Sequence, residues 1–242
     1  MIEAAASELA PAGVLRAAIN LGNFLLVTGR GPAGEPQGVA PDMAAGIARR
    51  LGVALQLVPF PNPGAVADAA TKGAWDIALI GADPLRAEHI AFSPAYVEIE
   101  ASYIVPEASP LRRAAEADRA GVRIAVAARS AYDLWLERNI RHATLVRSDT
   151  IGGAAKLFVE EGLEALAGLR PGLIGDLERL PGTRILEGRF MAVQQAVGTQ
   201  RANIAATTFL SAFVEEAKAS GLVASLIERH KVSGRLTVAP PL

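Results

Sequence analysis

Short apolar runs and amphipathic segments alternate along the first third of the chain. Three apolar runs predict buried strands, at residues 15–20, 53–60 and 75–80. Two amphipathic segments between them predict helices, at residues 41–51 and 65–71, with Gly52 as a stop signal for the first. The order strand, helix, strand, helix, strand is typical of a parallel sheet with helices on both faces.

The same alternation starts afresh after about residue 106. Four further strands are predicted, at residues 123–127, 144–147, 164–169 and 183–186. Helices are expected at residues 130–140 and 150–161. This part of the chain is therefore predicted to be a second α/β unit.

The end of the chain is mostly helical. An apolar run at residues 190–197 precedes an amphipathic helix predicted over residues 203–220. The apolar face of that helix comprises Ala206, Leu210, Phe213, Val214 and Ala217. A last helix is predicted at residues 222–230, and the Pro-rich tail at residues 238–242 is expected to be loose.

The long helix needs a sheet to cover, and the first unit lacks its last strand and helix. We therefore predict a two-lobed α/β fold with mostly parallel sheets flanked by helices. Lobe 1 comprises residues 1–104 and 194–242, and lobe 2 comprises residues 105–193. The chain then crosses between the lobes twice, near residues 101–106 and 190–197. Two crossovers make a hinge, and the cleft between two lobes is the default ligand site.

Composition narrows the classes of function. The 242 residues include 24 basic and 25 acidic residues, so charge favours neither nucleic acid nor an anionic membrane as a partner. There is no cysteine, and the three histidines lie far apart, at positions 89, 142 and 230, so no metal or other cofactor is expected. No apolar run is long enough to span a membrane, and the first residues carry no signal-peptide pattern. The chain is therefore either a mature form or never exported.

Five segments, in this order, resemble one known family. They are LRAAIN, GVAPDMAAGIARRLGV, GAWDIALIGADPLRAEHIAFSPAY, GVRIAVAARSAYDLWLE and FVEEAKASGLV. From about Leu15 to Arg229 the chain resembles the amino-acid-type (family 3) solute-binding proteins of bacterial ABC transporters, which implies the type II periplasmic-binding fold. In that family an arginine just before an F-S-x-x-Y stretch clamps the carboxylate of the ligand. The resemblance assigns this role to Arg86, and a surface arginine pairing with Glu88 is the alternative.

The resemblance implies further ligand contacts, each with a plainer alternative. Arg129, Ser130 and Ala131 form a turn before a helix, where the family contacts its ligand, but Ser130 with Asp133 also fits a helix cap. Asn23 and Phe24 follow the first strand, where an aromatic packs on the ligand, yet Phe24 also fits a core position. Asn62 lies where the family places a pocket residue, and an ordinary turn explains it equally well.

Two departures from the family pattern affect the expected ligand. Beside the arginine, Ile80, Gly81 and Ala82 replace the usual Ser/Thr donors, which leaves backbone N–H groups to serve. Residues 167–170 contain no acid where the family holds the ligand ammonium, so a free α-amino group on the ligand is in doubt. If Arg86, Arg129 and Arg170 face the cleft, a ligand with one or two carboxylates, or a phosphate, is expected. A solvated loop arginine is the alternative for Arg170.

Three functions remain open. The first is a monomeric, periplasmic receptor that closes on a small anionic metabolite and delivers it to an ABC permease. The second is an enzyme resembling the cyclohexadienyl dehydratases, which needs a general acid that the stretch around Leu169 and Arg170 lacks. The third is a cytoplasmic ligand sensor. The sequence favours the receptor and predicts no catalytic residue.

Overall fold

Parallel strand pairing organises both parts of the chain in the computed structural model, which describes residues 2–242. The residues divide into two units. The first runs to Glu98 and resumes from Gln194 to Leu242, and the second comprises Ile99–Val193. The mixed α/β class predicted from the alternating pattern is confirmed.

The first unit is built on a central strand with a parallel partner on each side. β1 (Val14–Asn20) pairs with β4 (Ala54–Phe60) and β5 (Ile77–Gly81), so that Ala17 lies opposite both Leu57 and Ile77. The carboxyl ends of the three strands therefore meet at one edge of the sheet. A small antiparallel hairpin, β2 (Gly29–Arg30) with β3 (Pro36–Gln37), lies between β1 and β4 along the chain.

Five helices belong to the first unit. They are α1 (Ile2–Leu9), α2 (Val39–Leu51), α3 (Pro63–Asp68), α7 (Ile204–Ala219) and α8 (Leu222–Arg229). The apolar face predicted for α7 is buried, and Phe209 joins it. Burial of each large side chain on this face stabilises the fold by about 1.5–3 kcal/mol. Helix α1 was not predicted, and Glu8 near its end accepts a hydrogen bond from Ala206 N at 2.8 Å, at the start of α7.

The second unit repeats the parallel arrangement on a smaller scale. β7 (Arg123–Ala127) pairs in parallel with β8 (Thr144–Ser148) and β9 (Ala165–Leu169). Its helices are α4 (Ala131–Asn139), α5 (Ile151–Glu160) and α6 (Arg170–Leu177). Three aromatic rings pack together at its core. The centre of the Phe190 ring lies 4.6 Å from that of Tyr103 and 5.5 Å from that of Trp135. Trp135 therefore packs against the core of the second unit.

Two long strands contain the points at which the chain passes from one unit to the other. β6 (Ile90–Pro106) has 17 residues, and its second half pairs antiparallel with β9 and with β10 (Thr183–Ile185). β11 (Met191–Gln200) pairs antiparallel with β5, and Gln195 lies opposite Gly81.

The C-terminal tail is ordered further than the sequence suggested. β12 (Thr237–Val238) pairs antiparallel with β6 at Glu98 and Val97. Ala239 N then donates to Tyr96 O at 3.1 Å. The expectation of a loose tail is therefore wrong for residues 238 and 239, because backbone pairing with β6 outweighs the flexibility of a Pro-rich end.

Candidate functional site

The loops after β1, β4 and β5 carry the candidate residues of the first unit. Leu21 N donates to Phe60 O at 2.9 Å, which ties the β1 loop to the β4 loop. A Cβ added at Gly22 would lie 3.0 Å from Pro61 O, so the close approach of these two loops favours glycine at this position. The structure thus brings the segments that hold Asn23, Phe24, Asn62 and Arg86 to one edge of the sheet.

Arg86 lies beyond the carboxyl end of β5, at the start of a short 3-10 helix over Arg86–Glu88. The turn before it is held by Asp83, whose Oδ1 accepts from Leu85 N at 2.8 Å. The Arg86 side chain is only 4% exposed, and its Nη1 donates to Gly81 O at 2.7 Å. A surface arginine is therefore the wrong interpretation. A guanidinium in this position has the planar geometry that suits a carboxylate.

Ile80, Gly81 and Ala82 have backbone groups that are engaged within the protein. Ile80 and Gly81 pair with β11, and Ala82 N donates to Gln194 O at 2.7 Å. Gly81 O accepts the guanidinium of Arg86. The Ala82 N–H, one of the backbone groups expected to serve a ligand, thus has a protein acceptor. Their contact with a ligand stays a prediction.

Asn23 and Phe24 take different roles in the β1 loop. Asn23 is buried, and its Oδ1 accepts from Leu25 N at 3.2 Å and from Leu26 N at 3.3 Å, which fixes the turn. Phe24 is 37% exposed, so a core position is the wrong interpretation of this ring. The guanidinium carbon of Arg235 lies 5.7 Å from the centre of the Phe24 ring. Arg235 was not among the site residues predicted from the sequence.

Asn62 has a structural role as the N-cap of α3. Its Oδ1 accepts from Ala65 N at 2.8 Å, and Pro63 begins the helix. The turn therefore accounts for Asn62, although its loop lies beside the β1 loop. Contact between Asn62 and a ligand stays a prediction.

In the second unit, Arg129, Ser130 and Ala131 form the N-terminus of α4. Ser130 Oγ accepts from Asp133 N at 3.1 Å and donates to Ala127 O at 2.8 Å, which confirms the helix cap. Arg129 has a positive φ of 60°, and its N–H donates to Asp133 Oδ2 at 2.8 Å. Ala131 is the first residue of the helix. Burial raises the pKa of the adjacent Tyr132 to about 12, so this phenol is neutral at physiological pH.

Arg170 pairs with a carboxylate of strand β6. Its Nε donates to Glu100 Oε2 at 3.0 Å, and Glu100 Oε1 accepts from Arg189 Nη1 at 3.3 Å. Arg170 Nη2 also donates to Gly188 O. The register of β6 with β9, where Ala101 lies opposite Leu169, brings Glu100 to Arg170. A solvated loop arginine is therefore the wrong interpretation, and a carboxylate does lie beside this position.

Among residues 2–242, no group of three His, Asp or Glu side chains is arranged to hold a metal ion. None of the described helices is long and apolar enough to cross a membrane.

Comparison with known proteins now identifies the family. The profile of the bacterial extracellular solute-binding proteins, family 3, matches residues 26–232, and the chain belongs to this family. Solute binding is therefore its general role. Among curated protein sequences, none matches the chain significantly.

Solved structures share the fold at low sequence identity. The amino acid ABC transporter substrate-binding protein AbpA of Streptococcus pneumoniae, bound to L-arginine, is 20% identical, with a TM-score of 0.74 over 94% of this chain and 98% of that one. The cysteine-binding protein of Campylobacter jejuni is 14% identical, with a TM-score of 0.74 over 95% and 97%. The ancestral amino-acid-binding protein AncCDT-1, a precursor of cyclohexadienyl dehydratase, is 17% identical, with a TM-score of 0.72 over 92% and 97%. These similarities establish the two-lobed periplasmic-binding fold.

Proposed function

We propose that this chain is a periplasmic receptor that binds a small carboxylate, amino-acid-like or not, and delivers it to an ABC permease. The observation that carries the proposal is Arg86, a buried guanidinium held at the carboxyl end of β5. A guanidinium is planar, and its N–H groups can form charge-assisted, two-point hydrogen bonds to a carboxylate. Family membership supports uptake as the purpose of binding.

Binding by ligand-free protein tests the proposal. After unfolding and refolding to remove any bound solute, the protein is screened by thermal shift against amino acids, monocarboxylates, dicarboxylates and organic phosphates. A ligand at 100 times its Kd stabilises the folded state by about 2.7 kcal/mol. We expect at least one carboxylate to raise Tm, and calorimetric titration to show one site per chain.

The variant Arg86→Lys tests the assigned residue. It keeps the positive charge but loses the guanidinium fork, so we expect binding of that carboxylate to weaken at least tenfold, or by about 1.4 kcal/mol. Arg16→Lys is the matched control, because Arg16 makes a two-point ion pair with Asp76 near the start of β1 and not at its carboxyl end. Unchanged affinity in Arg86→Lys would contradict the role of Arg86.

The enzyme interpretation makes a different prediction. Both oxygens of Glu100 face guanidinium groups, from Arg170 and Arg189, so this carboxylate neutralises cations and does not stand alone as a proton donor. We therefore propose that no chemical step follows binding. NMR spectra of the bound acid, taken before and after long incubation with the protein, are expected to be identical. Conversion of the acid to a new species would favour the enzyme.

A further inference from the structure

Arg235 is displayed over an exposed aromatic ring by a turn near the end of the chain. Its guanidinium carbon lies 5.7 Å from the centre of the Phe24 ring, within the distance of a cation–π contact. Phe24 follows β1, and β1 pairs directly with β5, whose last residue accepts a hydrogen bond from Arg86. The contact therefore places Arg235 at the edge of the sheet that carries the proposed ligand site.

The turn that carries Arg235 is fixed on both sides. Val232 and Leu236 are buried, and Arg235 N and Leu236 N both donate to Val232 O, at 3.1 and 3.2 Å. Gly234 has a φ of 76°, a conformation that glycine adopts readily. Directly after the turn, β12 pairs with β6. The tail thus fixes the backbone position from which the Arg235 side chain extends.

The guanidinium N–H groups of Arg235 are not hydrogen-bonded within the described chain, unlike those of Arg170. Within residues 2–242 no carboxylate or carbonyl accepts a hydrogen bond from its guanidinium, and its side chain is exposed. Arg170, in contrast, is paired with Glu100. A guanidinium lying over a ring keeps its N–H groups in the plane of the group, where they can form two parallel hydrogen bonds to an anion.

We propose that Arg235 is a specificity-determining residue that binds a second anionic group of the ligand. The inference rests on the proposed function, in which Arg86 binds the first carboxylate. The cation–π contact with Phe24 holds the guanidinium near this ring. A ligand with two anionic groups is then favoured over its monoanionic counterpart, because the latter leaves Arg235 without a partner.

Pairs of acids that differ by a single charge test the proposal. The probes are L-glutamate with L-glutamine, L-aspartate with L-asparagine, and succinate with succinamate, each titrated by calorimetry. In at least one of these pairs, we expect the wild type to bind the member with two carboxylates at least tenfold more tightly than the member with one. In Arg235→Gln that preference is expected to fall below threefold, with binding of the amide unchanged. Arg235→Lys is expected to keep part of the preference, since it retains charge but not the fork.

Arg49→Gln is the matched control, because Arg49 is also exposed, lies in the last turn of α2 and loses the same charge. It should leave both affinities unchanged. If the wild type binds monoacids without preferring dianions, or if Arg235→Gln weakens both members of a pair equally, the role of Arg235 is overturned while the proposed function stands. If the wild type binds no acid at all, both fail. Circular dichroism of each variant confirms that the fold is intact.

Discussion

The hydroxyl of Tyr96 is buried without a hydrogen-bond partner among the described residues. Burial raises the pKa of this phenol, so it stays neutral at ordinary pH. A buried hydroxyl that makes no hydrogen bond costs free energy that an apolar ring of the same shape avoids. The F-S-x-x-Y stretch therefore contains a tyrosine whose polar atom does not stabilise the fold.

Replacing this hydroxyl tests the interpretation. Tyr96→Phe is expected to leave the free energy of unfolding unchanged or to raise it by about 1 kcal/mol, measured by denaturant titration. Tyr132→Phe is the matched control, because the Tyr132 hydroxyl hydrogen-bonds to Ser130 and its loss is expected to cost about 1 kcal/mol. A loss of more than about 1 kcal/mol in Tyr96→Phe would mean that its hydroxyl has a partner.

The sequence identified some site residues better than others. Arg86 could be identified because it precedes a recognisable strand and motif, and its burial agrees with a role inside the fold. Glu100 and Arg235 could not be identified in this way, because the partner of each is distant along the chain. The register of β6 with β9 brings Glu100 to Arg170, and the C-terminal tail brings Arg235 to Phe24. Pairing across strands leaves no local spacing signal for sequence reasoning to detect.

Among the elements, the N-terminus of α4 is held by one buried carboxylate. Asp133 Oδ2 accepts from Arg129 N, and its Oδ1 accepts from Arg147 Nε at 2.9 Å. Asp133 also donates its own N–H to the Ser130 cap. This carboxylate joins helix, turn and neighbouring strand, and it holds Arg129 in its left-handed backbone conformation.

Two carboxylates pair with the same arginine and differ in burial. Arg147 pairs with both Asp133 and Glu137, and its Nη2 lies 3.4 Å from Glu137 Oε1. The Asp133 side chain is 3% exposed, whereas the Glu137 side chain is 60% exposed. We expect Asp133→Ala to lower the free energy of unfolding by about 2 kcal/mol, because it leaves the Arg129 N–H without its acceptor. Glu137→Ala should change it by less than about 0.5 kcal/mol, since water screens an exposed pair. Equal effects, measured by urea titration, would contradict a central role for Asp133.

Helices and strands were predicted correctly where apolar residues recur at regular spacing along the chain. The α7 face was correct in each of its five predicted positions. Helix α6 was missed because Leu173 is its only buried apolar residue, and a single apolar position gives no period. Strand β6 was not predicted, and only a crossover near residues 101–106 was expected, because the first half of this strand mixes buried and partly exposed positions.

Across the whole molecule, several carboxylates are stabilised in their charged form by the fold. The N–H groups of Arg112 and Arg113, followed by the Arg113 guanidinium, lower the pKa of Glu116 to about 2. The guanidinium of Arg123 lowers the pKa of Glu164. In each case the folded state holds its proton less tightly than the unfolded chain does. Such groups contribute stability above their unfolded pKa, and that contribution is lost as pH falls through the folded pKa.

The dependence of the free energy of unfolding on pH in acid should therefore be determined in part by Glu116. We expect the free energy of unfolding to decline as pH falls from about 4.5, near the unfolded pKa of glutamate, to about 2. In Glu116→Gln the decline should be shallower over that window, because no carboxylate at this position gains a proton on unfolding. Glu178→Gln is the control, since within the described chain Glu178 makes no hydrogen bond or ion pair through its side chain. Urea titrations at half-unit steps of pH measure both slopes. Parallel curves for Glu116→Gln and the wild type would mean that the backbone donors of Arg112 and Arg113 do not hold this carboxylate in solution.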